Sequence, residues 1–435
     1  MGNEIAKVNG VAFGSIAEVN GVAGANITHI NGMDLELTVA QATNSLSTNL
    51  GTHTGTERRS WGLASCYDPN TNQVIFVYGD SRNNEYSTVV VMASDKSIGS
   101  AVVIQSEGSG FHNGPVYNTQ ESKIMIGYMA SHSHNDYFMV GGTVGTKTVT
   151  MNTSGKNEIH DGAGGHAQGD VTDICSYNPT ANVAVFAFED GGDGAKNKVV
   201  ACTIGSDNSI TKGTEVEFLD DSLELYALSY DPDVGVHVVT YETSADRIGA
   251  RVISFSGTGN RTISMGTEAL YGGTDKHLAG QYNAGTRLVY DTTNNTHHQL
   301  IEQDNNSNVE IVYFTVSGTT VTWCATSKAQ TFQGNTRTGA TILYSHNRNK
   351  LMGVDGQGTI AYHLYTFDGT DYTYDSSTGI VNIETGLEDN DMYTHNNGMD
   401  NVDHSGFGYG LVFAYSANLN GNGDSIRAVG IEVGS

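Results

Sequence analysis

The chain has 435 residues and carries 47 acidic against 21 basic side chains, a formal net charge of −26 at pH 7. With no cluster of Lys or Arg, this charge argues against a nucleic-acid backbone or an anionic membrane surface as a partner. Glycine is frequent, at 54 residues, whereas proline is rare, at 4, and there are 22 tyrosines. This composition is typical of many short strands joined by Gly- and Asn-rich turns.

The sequence shows no targeting or membrane-spanning pattern. Its first residues lack the basic and apolar regions of a secretory signal peptide, and no window approaches the roughly 18 apolar residues of a membrane-spanning helix. The cysteines are widely spaced, without a pair at zinc-ligand spacing. We expect all of them to be reduced and buried: Cys66, Cys175, Cys202 and Cys324.

A short repeat occupies residues 1–36. IAKVNGVA starts at residue 5 and recurs as IAEVNGVA at residue 16 and as ITHINGM at residue 27. Each copy is a β-branched run interrupted by Asn-Gly, which favours a two-residue hairpin turn. Such small hairpins bury little apolar surface alone, so we expect this segment to dock on symmetry mates or other proteins. The predicted docking positions are Val8, Asn9, Gly10, Val19, Asn20, Gly21, Ile30, Asn31 and Gly32.

A longer repeat fills residues 60–435, after a polar linker at 37–59. Each unit has a strand ending in an aromatic residue, a tight turn, a second apolar strand, a Gly-rich loop and two more strands. Four strands per unit predict a β-propeller blade, and seven units placed radially would bury a continuous core. The predicted blades are 60–106, 107–155, 166–219, 220–272, 276–328, 334–385 and 394–435.

The last unit is one strand short, and residues 34–40 within the N-terminal part are the candidate to complete it. Six or eight blades, or a pair of β-sandwiches, remain alternatives to the seven-bladed, all-β propeller. In five units an Asp or Asn directly follows the aromatic residue, where its side chain can accept backbone amides two residues on. These predicted structural turn caps are Asp68, Asn118, Asn178, Asp231 and Asp291.

The sequence singles out few residues for chemistry. Glu224 and Asp173 are acidic residues in predicted strands that could face a central channel, where two carboxylates can cleave a glycosidic bond. A solvated carboxylate without chemistry is the favoured interpretation of both. The sequence therefore predicts no catalytic residue and no cofactor.

Two loops offer weak metal candidates. His132 and His134 lie in one loop and could bind a transition metal, and Asp190 and Asp193 lie in an acidic Gly-rich loop with oxygen ligands suited to calcium. Ordinary loop residues are the favoured interpretation, so no metal is predicted.

The N-terminal repeat is similar to short segments at the N-termini of structural and tail-associated proteins of marine and cyanobacterial phages. The Tyr-Asp-Pro turns of the longer repeat resemble those of propeller-shaped phage tail proteins and bacterial surface proteins. This resemblance implies an N-terminal anchor on a virion and a C-terminal propeller that presents loops or builds a wall. It implies no catalytic residues, and it implies assembly in the host cytoplasm.

The leading hypothesis is therefore a non-enzymatic virion structural protein: a tail fibre, a tail-associated ring or a capsid decoration. Its expected partners are other virion proteins and symmetry mates, through residues 1–40, and a host-surface glycan or protein. One alternative is a carbohydrate-binding or glycan-cleaving propeller. The other is an intracellular propeller that serves as a protein-interaction platform.

Overall fold

The computed structural model describes most of the chain from residue 64 onwards and short strands before it. The described ranges are 64–80, 86–93, 97–104, 111–129, 137–155, 157–160, 175–190, 196–220, 226–273, 276–278, 288–303, 308–331, 341–345, 349–356, 359–375, 381–385, 393–395, 410–418 and 424–432. Within them, all regular structure is β except for single 3₁₀ turns at Thr153–Gly155, Thr258–Asn260 and Thr326–Lys328. The described residues include no helix long and apolar enough to cross a membrane.

Two-residue strands in the N-terminal part form three hairpins. β1 (Lys7–Val8) pairs with β2 (Val11–Ala12), β3 (Glu18–Val19) with β4 (Val22–Ala23), and β5 (His29–Ile30) with β6 (Met33–Asp34). The three apolar docking positions Val8, Val19 and Ile30 lie in the first strand of each hairpin. The Asn-Gly positions lie outside the described residues, and the surface on which these hairpins dock stays a prediction. β7 (Asn44–Ser45) follows.

Antiparallel sheets then succeed one another along the chain. The first four strands of sheets 1 to 3 pair in sequence order, and the fifth strand of sheets 2 and 3 pairs back with the third. Sheet 1 contains β8 (Ala64–Asp68), β9 (Gln73–Asp80), β10 (Tyr86–Ala93) and β11 (Val102–Val103). Sheet 2 contains β12 (Phe111–Asn118), β13 (Lys123–Met129), β14 (Tyr137–Gly145), β15 (Thr148–Met151) and β16 (Asn157–His160). Sheet 3 contains β17 (Cys175–Asn178), β18 (Val183–Asp190), β19 (Lys196–Ile204), β20 (Ile210–Lys212) and β21 (Val216–Leu219).

Sheets 4 and 6 follow the same order, whereas sheet 5 starts with an extra short strand that pairs with the same neighbour as the strand after it. Sheet 4 contains β22 (Tyr226–Asp231), β23 (Val236–Thr243), β24 (Arg247–Ser256), β25 (Thr262–Met265) and β26 (Ala269–Tyr271). Sheet 5 contains β27 (Lys276–Leu278), β28 (Leu288–Asp291), β29 (Thr296–Gln303), β30 (Asn308–Ser317), β31 (Thr320–Trp323) and β32 (Gln330–Thr331). Sheet 6 contains β33 (Thr341–Ser345), β34 (Lys350–Gly356), β35 (Thr359–Phe367), β36 (Tyr372–Tyr374) and β37 (Val381–Thr385). Sheet 7 contains β38 (Tyr393–His395), β39 (Gly410–Asn418) and β40 (Asp424–Glu432).

Neighbouring sheets pack face to face, and their first strands lie side by side. β8 contacts β12, which contacts β17, and the series continues through β22 and β28 to β33. The second strand of a sheet is therefore covered on both faces, and all eight residues of β18 are buried. This packing confirms the predicted all-β, propeller-like architecture, in which sheets 2 to 6 carry one or two short strands more than the predicted four.

The strand that completes sheet 7 is not the one expected from the sequence. β7 pairs with β40, with Arg427 opposite Ser45 and Ala428 opposite Asn44. The expected segment, residues 34–40, begins in β6, which is already paired with β5 in its own hairpin. The pairing strand therefore comes from farther along the N-terminal segment. Of the cysteines, Cys66, Cys175 and Cys202 are buried, as predicted, whereas Cys324 is half-buried.

The turn between the first and second strands is built in the same way in successive sheets. An Asx side chain at the end of the first strand, at most 2% exposed, accepts backbone amides of the turn. The N–H donors are Asn70 and Thr71 to Asp68, Gln120 and Glu121 to Asn118, Ala181 to Asn178, Asp233 and Val234 to Asp231, and Thr293 and Asn294 to Asp291, with N···O distances from 2.7 to 3.2 Å.

The same turns explain why the repeat has a tyrosine directly before the Asx position and, in most copies, an asparagine five residues after that tyrosine. The last residue of each turn has a positive φ, which Asn and Gly adopt more readily than most residues. These residues are Asn72, Ser122, Asn182, Gly235, Asn295 and Asn349. The tyrosine hydroxyl five residues earlier donates to the asparagine oxygen, as in Tyr67 to Asn72 (3.0 Å) and Tyr344 to Asn349 (2.9 Å).

These turns also connect one sheet to the next, and we call this side of the sheets the Asx-turn end. The Tyr177 hydroxyl donates to Asn118 Oδ1 across sheets 3 and 2 at 2.8 Å. Asn178 Nδ2 donates to the Gly235 carbonyl of sheet 4 at 2.9 Å. His297 Nε2 of sheet 5 lies 3.3 Å from Asp231 Oδ2. The Asx-turn end therefore carries hydrogen bonds both within and between sheets.

Replacing Asp231 with alanine should lower the free energy of unfolding by about 0.5–2 kcal/mol, because two turn amides lose their acceptor. Asp231→Asn keeps the Oδ1 acceptor and should lose less. Asp233→Ala is the matched control, since this side chain is exposed in the same turn. Chemical denaturation of the three variants checks this. An Asp231→Ala protein as stable as the wild type would show that the turn is not held by this side chain.

His237 is a buried histidine in β23 without a hydrogen-bond partner among the described residues. Its ring lies between Tyr230 and Phe255, with centroid distances of 5.5 and 5.3 Å. Burial lowers its pKa from 6.5 to about 3, because the charged imidazolium would be desolvated. Below pH 6.5 the unfolded chain therefore binds a proton that the folded protein excludes, and stability falls as the pH falls.

We expect His237→Phe to reduce this acid sensitivity, since phenylalanine fits between the same two rings and binds no proton. Between pH 7 and pH 5, the free energy of unfolding should fall by about 2 kcal/mol less in the variant than in the wild type. Urea denaturation at the two pH values measures the difference. An unchanged pH dependence would mean that His237 is protonated in the folded protein.

Candidate functional site

Most residues that the sequence singled out for chemistry lie outside the described part of the chain: Glu224, Asp173, His132, His134 and Asp193. Asp190 is described. It ends β18, is 2% exposed, and its Oδ2 accepts a hydrogen bond from Lys198 Nζ in the neighbouring strand. The structure thus places Asp190 in an ion pair inside sheet 3.

The structure brings together three other side chains, which we call the Glu242 cluster: Glu242, Asp246 and His277. Glu242 is the penultimate residue of β23, and Asp246 lies in the turn from β23 to β24. His277 is the middle residue of β27 in sheet 5. Because β23 starts at the Asx turn of sheet 4, its last residues place the cluster at the opposite end of the sheets.

The three side chains of the cluster lie close together and differ in their exposure to solvent. His277 Nδ1 lies 2.7 Å from Glu242 Oε1, at hydrogen-bond distance. The donor atoms of all three side chains lie within 4.8 Å of one another. The Glu242 side chain is 10% exposed and that of His277 20%, whereas Asp246 is exposed. Glu242 is thus the interior member and Asp246 the one that solvent and ligands reach.

Backbone contacts fix the two elements that meet here. The amide of Asp246 donates to the Thr243 carbonyl at 2.9 Å, and Asp246 adopts a φ of 52°, which aspartate tolerates better than most residues. The amide of Lys276 donates to the Asp246 carbonyl at 2.9 Å. This bond joins the turn of sheet 4 directly to the strand that carries His277.

β27 is further anchored inside its own sheet. Lys276 Nζ lies 3.1 Å from Glu310 Oε2, and both side chains are 15% exposed. Leu278 is fully buried and belongs to an apolar cluster with Ile248 and Ile301. The two neighbours of His277 therefore hold the strand on both sides of the imidazole.

The electrostatics of the cluster centre on Glu242. Burial raises the pKa of its carboxyl group. The hydrogen bond and charge of His277 and a hydrogen bond from the Leu278 backbone amide lower this pKa, and the Asp246 charge raises it, with a net rise. Glu242 Oε2 is buried and has no hydrogen-bond partner among the described residues. A buried carboxylate oxygen without a donor is costly, so this atom is open to a ligand.

The arrangement can support two kinds of chemistry. Two carboxyl groups of unequal burial, close together and next to an imidazole, are suited to acid–base or nucleophilic catalysis. One imidazole nitrogen and two carboxylate oxygens are also donors that divalent transition metals accept. Of the described residues, these are the ones that could hold a metal ion.

Sequence analysis missed the cluster because Glu242 and Asp246 belong to one repeat, whereas His277 lies on a strand outside the repeat pattern. One signal was available. Glu189, Glu242 and Glu302 occupy equivalent positions near the end of the second strand in sheets 3, 4 and 5. They are 7, 7 and 5% exposed, although glutamate is rarely buried.

No protein-family model and no curated protein matches the sequence. Solved structures do match. A polysaccharide lyase described as an ulvan lyase is 7% identical over 88% of this chain and 95% of its own, with a TM-score of 0.47. A putative 6-phosphogluconolactonase from Bacteroides uniformis is 10% identical over 86% and 96%, with a TM-score of 0.46. AofleA from Arthrobotrys oligospora is 11% identical over 76% and 87%, with a TM-score of 0.42.

This comparison corrects the leading functional hypothesis. The predictions of a non-enzymatic virion structural protein and of no enzymatic activity are wrong, because the similar structures include a lyase and a putative lactonase. At such low identity and TM-scores the comparison indicates no substrate or catalytic residue. The resemblance to phage proteins, the virion location and the partners stay predictions.

The Lys276–Glu310 pair should stabilise the strand that carries His277. We expect a double-mutant cycle with Lys276→Met and Glu310→Gln to give a coupling energy of about 1 kcal/mol, because both groups are mostly shielded from water. Lys212 and Glu215, 3.4 Å apart with side chains 41% and 23% exposed, form the control pair and should couple more weakly. Equal coupling in the two pairs would contradict an anchoring role for Lys276.

Proposed function

We propose that the protein is a glycan-cleaving β-propeller enzyme whose reacting groups are Glu242 and Asp246. The observation that carries this proposal is the pair of carboxyl groups at the end of sheet 4, one buried and one exposed, with oxygen atoms within 4.8 Å of each other. Glycoside hydrolases use two carboxyl groups on either side of the scissile bond. This proposal replaces Glu224 and Asp173 as the carboxylates to test.

The short separation favours the retaining form of the reaction, in which the two carboxyl groups lie about 5–5.5 Å apart. Asp246, which is exposed, would attack the anomeric carbon while the bond from that carbon to the leaving oxygen breaks. Glu242 would give its proton to that oxygen. A water molecule would then attack the glycosyl–Asp246 ester, and Glu242 would take the proton back. His277 would orient the Glu242 carboxyl group through their hydrogen bond.

The finer fold that we propose with this function is a ring of seven blades. Two contacts support it: β39 of sheet 7 contacts β33 of sheet 6, and it also contacts β8 of sheet 1. The pairing of β7 with β40 adds an N-terminal strand to the same sheet. In such a ring the Glu242 cluster belongs to the face opposite the Asx-turn end.

A panel of neutral and acidic polysaccharides tests the activity, with new reducing ends as the readout. For a polysaccharide that the wild type cleaves, Glu242→Gln and Asp246→Asn should each lower kcat by about 100-fold or more. The matched control is Asp233→Asn, an exposed aspartate at the Asx-turn end of the same sheet. It should leave kcat unchanged.

Two further results decide the proposal. Proton NMR of the first product should show retention of the anomeric configuration, and inversion would rule out Asp246 as the nucleophile. Thermal unfolding of the three variants shows whether they are folded. If no polysaccharide in the panel is cleaved, or if folded Glu242→Gln cleaves as fast as the wild type, the proposal is wrong.

A further inference from the structure

The donor set of the Glu242 cluster points to a second ligand. We propose that Glu242, Asp246 and His277 bind a divalent transition-metal ion such as Zn²⁺, and that this ion switches off glycan cleavage. The binding site stands on the geometry of the cluster alone. Only the inhibitory consequence rests on the proposed function.

The donor atoms of the Glu242 cluster lie nearly close enough together to bind one ion. Zn–N and Zn–O bonds of about 2.0–2.2 Å place the ligand atoms of one tetrahedral ion about 3.3–3.6 Å from one another. The three donor atoms already lie within 4.8 Å of one another. Side-chain movements of about 1 Å would bring them to the spacing that one ion needs.

Glu242 also has a buried oxygen that a bound cation would satisfy. The Glu242 side chain is nine-tenths buried, and its Oε2 has no hydrogen-bond partner among the described residues. A cation next to this atom would supply the positive partner that a buried carboxylate needs. The exposed Asp246 gives the ion a route from solvent.

The ligand atoms of the Glu242 cluster indicate which class of metal ion it would bind. Imidazole nitrogen together with carboxylate oxygens suits zinc and its neighbours among the transition metals. Calcium takes six to eight oxygen ligands, and magnesium keeps most of its water, so neither is served by one nitrogen and two oxygens. Three protein ligands also leave a coordination position for water, a common arrangement for zinc.

The proposed inhibition follows from which atoms the ion occupies. Cleavage needs a proton on the Glu242 carboxyl group and a free oxygen on Asp246. An ion bound to both carboxylates displaces that proton and withdraws the nucleophile. Zinc binding and the first step of cleavage are then mutually exclusive.

Isothermal titration calorimetry of the full chain with ZnCl₂, after removal of metal with a chelator, tests the site without any glycan. We expect Glu242→Gln and His277→Gln to weaken zinc binding by roughly 10- to 100-fold or more. Glu217→Gln, an exposed glutamate in sheet 3, is the control and should bind as the wild type does. MgCl₂ and CaCl₂ at the same concentration should give no saturable heat.

Unchanged zinc affinity in folded Glu242→Gln and His277→Gln would overturn the site, whatever the glycan assay shows. Tight binding that these variants lose, in a protein that cleaves no polysaccharide, would support the site and contradict only the proposed function. If the protein does cleave a polysaccharide, zinc at saturating concentration should abolish the cleavage in the wild type, and excess chelator should restore it. Cleavage that persists with the site filled would overturn the inhibition.

Discussion

A buried Asx side chain between the first and second strands meets two requirements of the fold at once. Its oxygen accepts turn amides that would otherwise be buried without a partner, and its remaining atoms reach the next sheet. In Asp231 and Asp291 this role is filled by a carboxylate inside a strongly acidic protein. Burial acts to raise the pKa of Asp291, but hydrogen bonds from His298, Asn294 and Tyr344 outweigh it and lower the pKa to about 2.

The position of these turns separates structural polar groups from the side chains of the Glu242 cluster. At the Asx-turn end, polar side chains such as Asn118 and Asn178 have partners in their own turn and in the next sheet. At the opposite end of sheets 4 and 5, Glu242 keeps one buried oxygen without a partner among the described residues. The stability of the sheets therefore does not depend on saturating the Glu242 cluster, which leaves its carboxylates open to a substrate or an ion.

Local patterns made much of the fold predictable. The aromatic-Asx dipeptides mark the end of the first strand because the turn chemistry depends on neighbouring residues alone, and the apolar runs after them become buried second strands. The cluster was not predictable in this way. His277 lies 35 residues after Glu242, on a three-residue strand with no repeat signature, and only the packing of sheet 5 on sheet 4 brings the two together. The strand added to sheet 7 was misplaced for the same reason, since pairing at a distance leaves no local signal.

The central claim is that one end of the sheets carries stability and the other carries ligand chemistry. The most direct measurement compares Asn178→Ala with His277→Gln in thermal unfolding and in zinc titration. The account predicts that Asn178→Ala lowers Tm and keeps the zinc affinity, because it removes a turn cap and a link to the Gly235 carbonyl. It predicts that His277→Gln keeps Tm and loses the zinc affinity. Variants that change both properties together would contradict the separation.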